Sequence, residues 1–142
     1  MAFLSVNWVS ILLAAAAAWL FGGAYYTALS GPWLAAMGKT MEQCTAEQAA
    51  KSAIAKAAPF ILAFAGELII AWAIYGILLH MNMFTLRAGM ISAAACWFGF
   101  VLTTMTVNNA FSGRKPMLTV IDGIGWLGAM LIVGAIIGWF GP

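Results

Sequence analysis

PFILAFAGELIIAWAIYGILL, residues Pro59–Leu79, runs for 21 residues with Glu67 as its only acidic or basic side chain. A helix rising ~1.5 Å per residue needs about 20 such residues to cross a hydrocarbon core of roughly 30 Å. Val6–Ala28, Ala88–Phe111 and Met117–Phe140 are apolar over comparable lengths. Together the four stretches predict an all-α, integral membrane four-helix bundle, one domain over residues 1–142. The spans are expected at about 6–28, 59–79, 88–111 and 117–140.

Composition argues the same way. The chain is 65% hydrophobic and 7% charged, where soluble domains carry about 25% charged residues. A net charge of +2, with its basic residues scattered, excludes a nucleic-acid footprint and leaves the lipid bilayer as the expected partner. Met1–Ser5 carries no Lys or Arg and the apolar run continues to Ala24, so the first span reads as a retained helix, not a cleaved signal. Cys44 and Cys96 have no CxxC spacing, and His80 is the only histidine. No metal site or cofactor is expected from them.

The basic residues orient the chain. Lys39, Lys51 and Lys56 lie between spans one and two, and Arg114 and Lys115 between spans three and four; Arg87 alone lies on the other side. The positive-inside rule then puts the first and third connections in the cytoplasm and both termini outside it, in a multi-pass inner-membrane arrangement. Within the first connection, Ser30-Gly31-Pro32 reads as a stop for helix one. Thr45-Ala46-Glu47-Gln48 reads as a capping box. Helix two is thus expected to start near Ala46 and extend into the cytoplasmic interface, with a bend at Pro59, while Trp33 serves as an interfacial anchor. Thr85 is the expected cap of helix three, and Ser112–Pro116 a turn before helix four.

Ionisable residues inside a span are expensive and normally face protein or water. Glu67 lies about 12 Å beyond Pro59, and Asp122 about 7 Å beyond Met117, so both are expected in the cytoplasmic half at similar depth. Tyr25, Tyr26, Thr103, Thr106, Asn108 and Asn109 end spans on that same side. These eight residues form the candidate site: one polar cluster in the inner half of the bundle. On a structural account, Glu67 hydrogen-bonds Thr, Tyr or Asn on another helix, and Asp122 pairs with Arg114 or caps backbone. On a functional account, Glu67 is a proton or cation site with Asp122 or the Asn pair at its entry.

Small residues carry helix packing in lipid. Gly89, Ser92, Cys96, Gly99, Thr103, Thr106 and Ala110 make one stripe on helix three; Gly134 and Gly138 form a GxxxG pair on helix four, and Gly22 adds to helix one. Gly134/Gly138 is also a candidate for self-association. No HExxH, GxSxG, Walker or GxGxxG signature is present.

Asn7-Trp8, Phe21-Gly22-Gly23-Ala24-Tyr25-Tyr26, Trp33 and Gly38 open the chain in an order that resembles the domain of unknown function 1761 family. Trp97-Phe98-Gly99-Phe100-Val101, Phe111-Ser112-Gly113-Arg114, Asp122-Gly123-Ile124-Gly125 and Gly134-Ala135-Ile136-Ile137-Gly138-Trp139 continue the likeness over nearly the whole chain. Many relatives carry Asn-Ala-Gly-Tyr where this chain has Asp122–Gly125. The resemblance implies a small bacterial four-helix membrane protein and carries over no catalytic residue. The expected role is a non-enzymatic oligomeric or accessory membrane component, in a homo-oligomer or larger complex. The alternative is a proton- or cation-coupled small channel or transporter using Glu67.

Overall fold

A computed structural model describes residues 6–142. Met1–Ser5, read above as free of basic residues, lies outside them. The described residues form six helices and no strand. Four are long and apolar enough to cross a membrane: α1 (Trp8–Ala28), α4 (Ala53–Met81), α5 (Leu86–Phe111) and α6 (Pro116–Phe140). The other two, α2 (Ser30–Met37) and α3 (Met41–Ala49), occupy the first connection, which the sequence did not divide this way.

Local chemistry explains each boundary. Asn7 caps α1, its side chain accepting the Ser10 N–H at 3.1 Å. Ser30-Gly31-Pro32 does not end helical structure but begins α2, since Pro32 falls in the first turn where a missing N–H costs nothing. Gly38, at φ 74°, supplies the left-handed exit. The capping box sits at Thr40 and Gln43, five residues before the expected one. Gln43 N–H donates to Thr40 Oγ1 at 3.2 Å, and Thr40 N–H to Gln43 Oε1 at 2.9 Å. Thr45 is left mid-helix, donating to Met41 O. A continuous helix from Ala46 is therefore corrected to two helices, with Ser52 capping α4 through Ala55 N–H. Pro59 lies inside α4, which continues through it. Thr85 caps α5 through Ala88 N–H at 3.1 Å, and Pro116 opens α6 at its first turn.

Lys39 and Glu47 tie α3 to the end of α2, with Nζ 2.6 Å from Oε2. The hydrogen bond and charge of Lys39 hold the Glu47 carboxyl below its ordinary 4.5. A depressed folded value means the pair stabilises above the ordinary carboxylate range and is lost as pH falls through the folded value. Both side chains are solvent-exposed, so the effect is expected to be small and screened by salt. A chemical-shift titration of Glu47 at low and high ionic strength checks it.

The packing is centred on α6. Of the hydropathy-selected span, 44% is buried in α6 against 11% in α5, so α6 is the hub and α5 is attached along one edge. The main core joins Ile11, Ala14, Ala15 and Ala18 of α1 to Ala71, Ile74 and Leu78 of α4 and to Met130, Val133 and Ile137 of α6. A smaller core at the other end packs Ala36 of α2 on Leu118 and Ile121 of α6.

Glycine decides the α5–α6 contact. A Cβ on Gly89 would run into the Gly134 carbonyl, one on Gly134 into the Gly89 carbonyl, and one on Gly138 into the Thr85 carbonyl. Backbone meets backbone, as small residues allow in lipid. Gly134 and Gly138 are thus occupied within the chain, which takes them away from the self-association proposed for them. At Gly22 and Gly99 a Cβ would meet nothing within 4 Å.

One feature of α5 has no counterpart in the sequence reading. Trp97–Leu102 is a π-helical segment between α-helical turns at Leu86–Cys96 and Thr103–Phe111. Its wider turn breaks the phase of the expected small-residue stripe. Gly89 and Ser92 are buried before it; Gly99 within it and Thr103, Thr106 and Ala110 after it are exposed.

Candidate functional site

The candidate residues separate into two places. The first is the end of the bundle where α1 finishes and α6 starts. Tyr26 donates its hydroxyl to Asp122 Oδ1 at 2.9 Å, and Trp33 donates its indole N–H to the same oxygen at 3.0 Å. Tyr25 donates to the Ile121 carbonyl at 2.8 Å. Its ring lies against Gly125, where a Cβ would approach it to 2.9 Å, so that glycine makes room for the tyrosine. Trp97 donates to the Gly123 carbonyl at 2.8 Å. Lys115 Nζ donates to Ala35 O at 2.9 Å, near the carboxyl end of α2 where cations are favoured.

Asp122 is therefore held by an aromatic pair, and not by Arg114 as one sequence account had it. Trp33 is the residue that account missed. It was read as an anchor to lipid headgroups, and its sequence distance of 89 residues from Asp122 leaves no local pattern to betray the bond.

The polar end of α5 takes little part in this knot. Thr103 and Thr106 each return their hydroxyl to a carbonyl of their own helix, Gly99 O and Leu102 O, both at 2.7 Å. Asn109 donates to Thr119 Oγ1 at 2.9 Å, joining α5 to α6. Thr106, Asn109 and Thr119 line a shallow cleft of about 380 Å³ with Arg114. Asn108 is exposed.

Glu67 stands apart from all of these. It is buried, with 6% of its surface exposed, and its Oε2 atom is sealed from solvent with no hydrogen-bond partner among the described residues. Its depth follows from helix register. Asn7 N–H donates to the Tyr75 hydroxyl and Trp19 stacks edge-on against Phe64, so antiparallel α1 and α4 put Ala15 across from Glu67. Tyr26, which meets Asp122, is eleven residues further along α1, or about 16 Å. The expected common depth of the two carboxyls is corrected accordingly. The count from Pro59 failed because Pro59 is not the start of the helix: α4 runs from Ala53 to Met81, with Glu67 at its midpoint.

The neighbours of Glu67 at that height are apolar. The same register brings the buried Ala14, Ala15 and Ala18 of α1 to its height, and that of Phe21 on Gly128 brings Val133 level with it on α6. Toward the start of α4, Ala16, Trp19, Leu20, Phe60, Ile61 and Phe64 line a groove of about 450 Å³ between α1 and α4. Trp19 spends its indole N–H on the Phe60 carbonyl at 3.0 Å. Among the described residues no group of His, Cys, Asp or Glu is placed to hold a metal.

A family model described as "Protein of unknown function (DUF1761)" matches residues 9–138, which takes in all four spans and both polar places. The chain belongs to this family. Neither the curated proteins nor the solved structures gave a match. Membership in DUF1761 carries no activity, so the chemistry has to come from the geometry above.

Proposed function

We propose that the protein is a non-enzymatic, multi-pass component of a bacterial inner membrane, with both termini outside the cytoplasm, acting as an oligomeric or accessory member of a membrane assembly. The observation that carries this reading is the one-edged attachment of α5. Beyond the π segment its surface turns away from the bundle, and Thr104 and Asn108 are exposed on it one turn apart, their side chains without a hydrogen bond among the described residues. An amide facing hydrocarbon gains from a partner on another helix, typically ~1 kcal/mol in membrane proteins. The concentration of Lys39, Lys51, Lys56, Arg114 and Lys115 at one end supports the orientation. Mass measurement in lipid nanodiscs tests the assembly. The wild-type chain is expected as an oligomer and Asn108→Leu as a weaker one; a wild-type monomer at all lipid ratios refutes the reading.

A second reading is a proton- or cation-coupled carrier, favoured by one observation, the unpartnered oxygen of Glu67. Glu67→Gln is expected to abolish flux in proteoliposomes on this reading and to leave assembly intact on the first.

A further inference from the structure

We propose that Glu67 and the groove beside it form a binding site for a lipophilic organic cation, entered sideways from the bilayer. The inference deepens the second reading and rests on the same carboxyl, but it requires binding and not transport. Two independent features converge on it. One is the Glu67 side chain, more than nine-tenths buried, whose Oε2 atom lacks any donor. The other is the groove, whose wall of Trp19, Phe60 and Phe64 offers aromatic faces with almost no polar surface between them.

These features are adjacent. Phe64 precedes Glu67 by one helical turn on α4, and Ala16 of the groove wall is next to Ala15, the residue across from Glu67. A body of apolar groups fits the groove, and pockets of this size and character take drug-sized ligands. A positive charge on that body meets the π faces first; Glu67 does not line the groove and is reached one turn further along α4, past Phe64. An unpaired carboxyl among apolar side chains discriminates for charge, because an uncharged ligand leaves it as it was. A sealed acid in this setting also rejects hydrated ions, which would have to shed water into an apolar groove.

The exchange balances simply. The cation takes the place of the carboxyl proton, no covalent bond to carbon changes, and one proton leaves for water per cation bound. By helix register α1 brings Ala14, Ala15 and Ala18 to that height and α6 brings Val133; among the described residues the titratable side chains nearest in the core are Tyr75, two turns away on α4, and Cys96 on α5. Affinity is therefore expected to rise with pH through one proton.

The test is tetraphenylphosphonium binding to the purified full chain in nanodiscs, followed by calorimetry in two buffers and by tryptophan fluorescence. The expected result is saturable binding with release of one proton and a change in Trp19 emission. Glu67→Gln is expected to weaken it at least about tenfold with helicity retained. Ala16→Phe, which fills the groove and leaves the carboxyl in place, is expected to weaken it as well. If Glu67→Gln does not fold, Ala16→Phe and prior reaction of the wild type with dicyclohexylcarbodiimide decide the matter, since both must lower binding. Equal binding by wild type and the folded variants, absence of saturable binding, or binding without proton release overturns the proposal. Ion flux without phosphonium binding would also overturn it, and would leave the second reading standing.

Discussion

Gly134→Val is expected to unseat α5 from α6, lowering stability by about 3 kcal/mol or more, the upper end of what overpacking costs. A Cβ at this position meets the Gly89 carbonyl and comes within 2.9 Å of the Ala93 Cβ, so the second and third carbons of valine have no space at all. Neither obstacle is the far end of a flexible chain. One is backbone and the other a methyl on a packed turn, so relief requires the helices to separate. Separation then forfeits the contacts of Ala88 and Ala93 with the core. Unfolding in mixed detergent and SDS micelles measures the loss. Gly89→Ala is expected to be non-additive with Gly134→Val, because both act on one contact. Gly22→Ala and Gly99→Ala are the controls: with nothing within 4 Å, they are expected to cost nothing.

Asp122→Ala is expected to be the next largest effect, about 3 kcal/mol. It strips two donors, the Tyr26 hydroxyl and the Trp33 indole, of the one oxygen both use. A partly buried donor left without a partner costs about 1–3 kcal/mol. The damage is expected to spread to α2, which is fastened to α6 by this bond, by Lys115 on Ala35 O and by the small core around Ala36. Asp122→Asn supplies the discriminating comparison. Its amide oxygen can accept both bonds, so a near wild-type result identifies Asp122 as an acceptor that organises aromatics. A loss as large as alanine's would assign the role to charge. Red-shifted Trp33 emission, read with the other tryptophans replaced, locates the release.

The spans were legible because apolar length is a one-dimensional property. Caps were legible where one residue type and one turn suffice, as at Thr85 and Pro116. The first connection was not, because two Thr-x-x-Gln patterns compete there and the choice between Thr40 and Thr45 depends on Gly38 ending α2 just before. Nor could the glycines be sorted by sequence. Gly89 and Gly99 sit on one stripe of an ideal helix, but Gly99 falls in the π segment, and one is packed while the other is open. Of the candidate site, the Tyr25–Tyr26–Asp122 grouping could be anticipated from shared depth, since three residues at span ends on one side have few places to go. Glu67 could not be located that way. Its height depends on how α4 slides along α1, and that is set by the Asn7–Tyr75 and Trp19–Phe64 pairs.

The hub position of α6 also constrains how the molecule is made. Ribosomes deliver the spans in order, and α1 and α4 can dock on each other as soon as both are inserted, through Trp19 and Tyr75. The third span has no such companion waiting, because its tight surface, Gly89 with its neighbours, is shaped for a helix not yet synthesised. On the proposed membrane reading, that glycine face stays uncovered until the last helix has been made. Final assembly is thus a late event, completed from the carboxyl-terminal side.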